Sequence, residues 1–89
     1  MAAEVAIKKI AEVTAKKIEA EIKLEKAKKQ FENKKRVLES YIYSGSDKII
    51  ENARKDVEEA IIKMEERKKE LEAISKELEA ISKEVDKLK

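Results

Sequence analysis

The strongest constraint on the fold of this chain is a seven-residue unit that occurs twice in succession near the C-terminus. Residues 71–77 read Leu-Glu-Ala-Ile-Ser-Lys-Glu, and residues 78–84 repeat that unit letter for letter. Apolar residues that alternate three and four positions apart give one helix a continuous seam against another. The repeat therefore predicts packing between helices.

The same seven-residue period runs through each of the two predicted helices without a skip. In the second half the two rows of the seam are Ile50, Val57, Met64, Leu71, Leu78 and Val85, and Ala53, Ala60, Arg67, Ile74, Ile81 and Leu88. In the first half they are Ala3, Ile10, Lys17, Leu24, Phe31 and Leu38, and Ala6, Val13, Ala20, Ala27, Lys34 and Tyr41. An unbroken period of seven predicts a left-handed coiled coil.

The only turn signal is the Ser-Gly-Ser-Asp sequence at residues 44–47. We expect Gly45 to adopt the left-handed conformation that closes a helix, and Ser46 or Asp47 to cap the next helix. Asp47 also places a negative charge in the first turn, where the helix dipole favours it.

These signals predict a single domain, residues 1–89, with one helix at about 2–43, a turn at 44–46 and a second helix at about 47–88. A connection this short forces the two helices to lie antiparallel. The predicted fold class is all-α: an antiparallel two-helix hairpin, or coiled coil, that assembles into a multi-helix bundle.

Composition excludes most catalytic chemistry. Charged residues make up 47% of the chain and aromatic residues 3%, and there is no His, no Cys and a single Gly. Such a chain cannot build a nucleophile–imidazole pair, a zinc site of His and Cys, or a glycine-rich phosphate loop. We therefore expect no catalytic, cofactor-binding or metal-binding residues, and no enzyme activity.

Charge and hydropathy favour a soluble, cytoplasmic protein. The 22 basic and 20 acidic side chains leave a net charge of only +2, which does not mark the whole chain as a polyanion binder. No segment approaches the ~18 apolar residues of a membrane span, and the N-terminus lacks the apolar core of a signal peptide.

The first helix carries an apolar row beyond the one a hairpin needs. We call it the outer stripe, and it consists of Ile7, Ala11, Ala15, Ile18 and Ile22. A chain this short buries little surface unless it associates, so we expect other copies to cover the stripe. A two-fold dimer is favoured, followed by trimers or larger rings, which could enclose a pore lined by Ser75 and Ser82.

These considerations predict two groups of apolar and small residues. The intrachain core is expected to contain Ile10, Val13, Leu24, Phe31, Leu38, Val57, Met64, Leu71, Ile74, Leu78 and Ile81. The predicted oligomer interface consists of Ile7, Ala11, Ile18, Ile22, Ala73, Ser75, Ala80 and Ser82.

Three cations interrupt the seam: Lys17, Lys34 and Arg67. We expect them to be buried polar residues that fix the register of the helices. Since an unpaired buried charge is costly, each could either pair or extend its charge to solvent; an ion or ligand site is the alternative. If paired residue numbers sum to about 90, the expected partners are Asp56 for Lys34, Glu21 or Glu25 for Arg67, and Glu70 or Glu77 for Lys17.

Three further hypotheses concern other partners. In the first, the chain is a natural adaptor whose outer stripe receives another protein's helix. In the second, a basic face binds nucleic acid through Lys28, Lys29, Lys35 and Arg36. In the third, the outer stripe lies on a membrane surface. Apolar residues near the turn either close that end of the hairpin or bind a partner: Val37, Ile42, Tyr43, Ile49, Ile61 and Ile62.

Residues 71–84 are similar to the Leu-x-x-Ile-small repeats of designed coiled coils and α-helical barrel peptides. The near-equal helices, the Ser-Gly-Ser-Asp turn and the outer columns of Glu and Lys resemble de novo designed helical hairpins that self-associate. The first helix is less regular, with Thr14, Gln30 and Asn33, as in designed polar networks or in a natural hairpin rich in Ile, Lys and Glu. The resemblance implies a structural protein whose function is assembly.

Overall fold

The computed structural model describes residues 3–87, which form two long helices joined by a tight turn. Helix α1 spans Ala3–Ile42 and helix α2 spans Asp47–Lys87, and the two contact each other. The hairpin measures 65 × 14 × 13 Å, as expected for helices of about 40 residues that rise ~1.5 Å per residue. The predicted all-α antiparallel hairpin is confirmed. Helix α1 ends one residue earlier than expected, and the expected helix ends at 2 and 88 lie outside the described residues.

The predicted seam lies between the helices, but most of it is only half-buried, and of the residues predicted for the intrachain core only Val13 and Leu24 are buried. Within residues 3–87 the buried side chains are those of Ala6, Val13, Ala20, Leu24, Ala27 and Ala53, all members of its rows. The half-buried members are Ile10, Lys17, Phe31, Leu38, Ile50, Val57, Ala60, Met64, Arg67, Leu71, Ile74, Leu78, Ile81 and Val85. Ala3, Lys34 and Tyr41 are exposed, and Leu88 lies outside the described residues.

The core of a single hairpin is thin. Four of its six buried residues are alanines, and in the described part of the chain no large side chain is less than 2% exposed. The larger seam residues, such as Phe31, Met64 and Ile74, are only half-buried. Each apolar side chain therefore obtains only part of the ~1.5–3 kcal/mol that full burial would contribute.

The turn closes through close packing of Gly45 on the last turn of α1. The backbone N–H of Gly45 donates to the carbonyl oxygen of Tyr41 at 2.7 Å, and the N–H of Ser44 donates to the same oxygen at 3.3 Å. Within residues 3–87 no residue has a positive φ, so the expected left-handed Gly45 is wrong. Glycine is needed because a Cβ at this position would lie 2.9 Å from the Tyr41 oxygen.

Ser46 caps the second helix. Its carbonyl oxygen accepts the first helical hydrogen bond from the N–H of Ile50 at 3.0 Å, and its Oγ accepts a longer bond from the N–H of Ile49 at 3.4 Å. Asp47 is then the first residue of α2, where its carboxylate faces the positive end of the helix dipole. Of the two residues expected to cap α2, Ser46 does so.

Candidate assembly interface

The outer stripe lies on one continuous helix and is exposed to solvent. The exposed fractions of Ile7, Ile18 and Ile22 are 62%, 54% and 52%, and Ala11 and Ala15 are also exposed. At about 100° per residue, the five side chains fall within an arc of about 80°, centred about 140° from the centre of the seam. The stripe therefore faces away from α2. Thr14, which the sequence analysis did not include in the stripe, lies on the same face and is exposed.

The register of the hairpin follows from the residues that line the shallow grooves between the helices. Lys34 and Asp56 line one groove, and Ala27 and Lys63 line another. In both pairs the residue numbers sum to 90, as the sequence predicted. The outer stripe therefore runs alongside the end of α2 that contains the letter-for-letter repeat.

The two helices form a layer with two broad faces. The residues of α2 that were predicted for the interface lie on both of these faces. Ser75 follows seam residue Ile74 by one position, whereas Ala73 precedes it by one, so the two project to opposite sides of the seam. The same holds for Ser82 and Ala80. Ser75 is half-buried, and the other three are exposed. The eight residues predicted for the oligomer interface therefore do not form one surface.

In an antiparallel pair, Ser75 and Ser82 project to the same side of the seam as Ile7 and Thr14, which form the border of the outer stripe on the side nearest α2. The register places Ile7 across from Ser82 and Thr14 across from Ser75. We call this the serine face, defined by these four residues. These four side chains are uncharged, and the same two columns continue with Glu21 on α1 and Lys68 on α2.

The opposite broad face is charged, and Ala73 and Ala80 lie on it. We call it the charged face, since it carries Lys9, Lys16 and Lys23 on α1 and Glu70, Glu77 and Glu84 on α2. The antiparallel register sets each lysine across from a glutamate. Charged side chains cost free energy when they lose water, so this face favours solvent and the serine face is the one suited to a partner.

The seam cations do not occupy the buried positions expected for them. No polar or charged residue is buried within residues 3–87. Lys17 and Arg67 are half-buried, and Lys34 is exposed. The expectation of burial is wrong because long side chains carry the charge to water while their methylene groups cover the seam.

Ion pairs form along each helix. The Nη1 atom of Arg67 donates to Oε1 and Oε2 of Glu70 at 3.2 and 3.1 Å, in place of the expected Glu21 or Glu25. Lys34 and Asp56 share a groove as expected, but every ion pair within 4.0 Å in residues 3–87 joins residues of the same helix. A partner one helical turn away is always within reach, whereas a partner on the other helix must be met across the groove.

The basic face of α1 is interrupted by carboxylates. Lys28, Lys29 and Arg36 line a shallow surface groove, and Glu25, Glu32 and Asn33 line the same groove. A phosphate backbone would therefore meet two negative charges beside three positive ones. The groove is a mixed, solvated surface.

The apolar residues near the turn do not close the end of the hairpin by burying one another. Val37, Ile42, Tyr43, Ile49, Ile61 and Ile62 are all exposed, and Tyr43 is 95% exposed. Tyr43 follows the last residue of α1 and lies in the turn. These side chains add apolar surface without forming a compact cluster.

Two observations bear on other kinds of site. Among residues 3–87, no group of three or more Asp or Glu side chains is placed to hold a metal ion. Over the same residues, neither helix has an apolar stretch of the length and hydropathy required to cross a membrane.

Within residues 3–87, the fold and the exposed stripe define a class, the two-helix hairpin with an uncovered apolar stripe on one helix. Comparison of the chain with protein-family models, with curated proteins and with solved structures found no match. The function must therefore be argued from the surface of the hairpin itself.

Proposed function

We propose that this chain is a structural, self-assembling protein whose hairpins associate through the outer stripe into a homo-oligomeric helical bundle. The observation that carries the proposal is the exposure of Ile7, Ile18 and Ile22 on one face of α1. A two-fold dimer of four helices is the proposed stoichiometry, because a two-fold contact uses the same surface on both subunits.

The surface area of the hairpin supports association. The chain exposes 6965 Å², whereas a compact monomer of 10.2 kDa exposes about 5,300 Å². The difference, about 1,600 Å², is roughly twice the ~800 Å² that each partner contributes to a standard interface. A second hairpin laid on the stripe would turn this excess into buried area.

The chemistry of the described residues also fits a structural role. Surface ion pairs such as Glu72–Lys76 at 3.6 Å and Glu79–Lys83 at 3.7 Å stabilise the helices and keep the outside charged. We propose that the chain has no catalytic activity, that it binds no cofactor, and that it belongs to the designed type it resembles in sequence.

The proposal is tested by placing one charge on the stripe. Ile18→Glu should dissociate the oligomer, because each carboxylate would have to lose its water in the contact. Ile62→Glu is the matched control, since Ile62 is 59% exposed and Ile18 is 54% exposed, and Ile62 lies on α2 outside the stripe. Native mass by light scattering and helicity by circular dichroism are measured on both variants.

The expected result is a helical monomer for Ile18→Glu and an unchanged oligomer for Ile62→Glu. An unchanged mass for Ile18→Glu would remove the outer stripe from the interface and overturn the proposal. A monomer at every concentration for the unmodified chain would also overturn the proposal, and would leave the adaptor hypothesis, in which the stripe receives another protein's helix.

A further inference from the structure

When Thr14 is included, the spacing of the outer stripe reads the same in both directions along α1. Together with Thr14, its members occupy positions 7, 11, 14, 15, 18 and 22. The gaps are four, three, one, three and four residues. A surface with this symmetry presents the same pattern of projections to an antiparallel copy of itself.

We infer that the stripes of two copies pack antiparallel about a two-fold axis that crosses α1 between Thr14 and Ala15; this inference rests on the proposed function and specifies its geometry. A two-fold contact requires that whenever residue i meets residue j of the partner, residue j meets residue i. The palindromic spacing satisfies that condition. The numbers of the two residues that meet, one from each copy, always sum to 29.

The pairs that this axis creates match in volume. Ala11 lies at the level of the partner's Ile18, so a small side chain meets a large one on both sides of the axis. Thr14 and Ala15, at the centre, are both small. Small side chains at the crossing point let helix axes approach toward the near end of the usual 8–10 Å. Ile7 and the partner's Ile22 then close each end of the contact.

Charge also favours the antiparallel orientation. Lys8 and Glu19 border the same side of the stripe, and the axis places Lys8 about two residues, or ~3 Å along the helix, from the level of the partner's Glu19. The pair occurs twice by symmetry. Glu19 contacts Lys23 of its own helix through Oε1 at 3.6 Å, so its second oxygen is available to the partner.

A second copy covers the stripe over about four turns of α1, and the adjoining serine face offers the uncharged side chains of Ser75 and Ser82. The charged face remains in water on both subunits. No other occupant has to be supplied, because the complementary surface is the stripe itself.

Single cysteines test the register, and the chain has no native cysteine to interfere. A disulfide needs Cα atoms within about 7 Å. In the inferred dimer, two copies of Ala11→Cys stand about 10 Å apart along the axis, and so do two copies of Ile18→Cys. A mixture of Ala11→Cys and Ile18→Cys brings the two different cysteines to the same level.

The expected result is that neither variant alone forms a cross-linked dimer under mild oxidation, that the mixture does, and that Ala15→Cys alone does. Cross-linking of Ala11→Cys alone, with none gained in the mixture, would show a parallel contact and overturn the inference. Absence of cross-links in all samples that remain dimeric when reduced would place the interface elsewhere and also overturn it.

Light scattering on the same reduced samples keeps the two claims separate. If the reduced variants are oligomers and the cross-linking pattern is wrong, the antiparallel register fails while assembly stands. If the unmodified chain is monomeric, the proposed function is wrong, and so is the antiparallel register that depends on it. Circular dichroism of each variant confirms that the hairpin is folded before either conclusion is drawn.

Discussion

The backbone N–H of Gly45 lies 2.7 Å from the carbonyl oxygen of Tyr41, and a Cβ on Gly45 would lie 2.9 Å from that same oxygen. The backbone that makes this short hydrogen bond thus leaves no room for a side chain on Gly45. The contact lies in the single turn that joins α1 to α2.

We expect Gly45→Ala to destabilise the hairpin by about 1 kcal/mol. Alanine lowers the conformational entropy of the unfolded chain and would normally stabilise by ~0.4–1 kcal/mol, but the Tyr41 backbone oxygen must move to admit the Cβ. The midpoint of urea unfolding at fixed protein concentration measures the change. Ser44→Ala is the control, since it removes only an exposed bond from Ser44 Oγ to the Ser40 carbonyl. A higher midpoint for Gly45→Ala would contradict this account.

Ser46→Ala should cost about 0.5 kcal/mol, at the lower end of the range for N-caps. The bond that it removes, from the N–H of Ile49 to Ser46 Oγ, is long at 3.4 Å. Ser46→Asp should match or exceed the native stability, because its carboxylate also interacts with the helix dipole. Thermal unfolding of the three proteins at one concentration tests the order, and a Ser46→Ala variant as stable as Ser46→Asp would exclude a capping role.

Arg67→Leu should raise stability by roughly 1 kcal/mol. Arg67 is half-buried in an otherwise apolar row of α2, and its pair with Glu70 lies within one helix, where such pairs contribute only ~0.2–0.5 kcal/mol. Polar residues in a seam lower stability while they specify register. Glu70→Gln, the control, should change the unfolding midpoint little. If Arg67→Leu is destabilised instead, the arginine has a partner that the single hairpin does not contain.

Duplex DNA should bind the chain weakly and without a steep dependence on salt. Lys28, Lys29 and Arg36 share their groove with Glu25 and Glu32, so few counterions would be released. Changing Lys28, Lys29, Lys35 and Arg36 together to Gln, which adds no repulsive charge, should weaken this binding by no more than a few fold. A steep salt slope that disappears in that variant would instead support the nucleic-acid hypothesis.

The seam could be predicted from the sequence because a seven-residue period determines which side chains face the neighbouring helix, and the buried residues, such as Val13, Leu24 and Ala53, are all members of its rows. The backbone conformation of the turn could not be predicted, since glycine accepts many conformations. The close approach of Gly45 to Tyr41 appears only in three dimensions.

The partners of the seam cations were also beyond sequence reasoning. Arg67 has carboxylates available on both helices, and exposed pairs differ by fractions of a kcal/mol, so the choice of Glu70 depends on local geometry. The outer stripe is visible in the sequence, but its separation from Ala73 and Ala80 depends on how two antiparallel helices share a face. Because Ala73 and Ala80 lie on the charged face, the predicted interface is reduced to Ile7, Ala11, Ile18, Ile22, Ser75 and Ser82.

The most direct test of the central claim is the native mass of the unmodified chain, measured by light scattering on a sizing column over a hundredfold range of concentration. The account predicts a mass near twice 10.2 kDa that persists on dilution, with the stripe buried between two copies. A mass of one chain at every concentration would contradict it, and would mean that Ile7, Ile18 and Ile22 remain uncovered when the hairpin is alone.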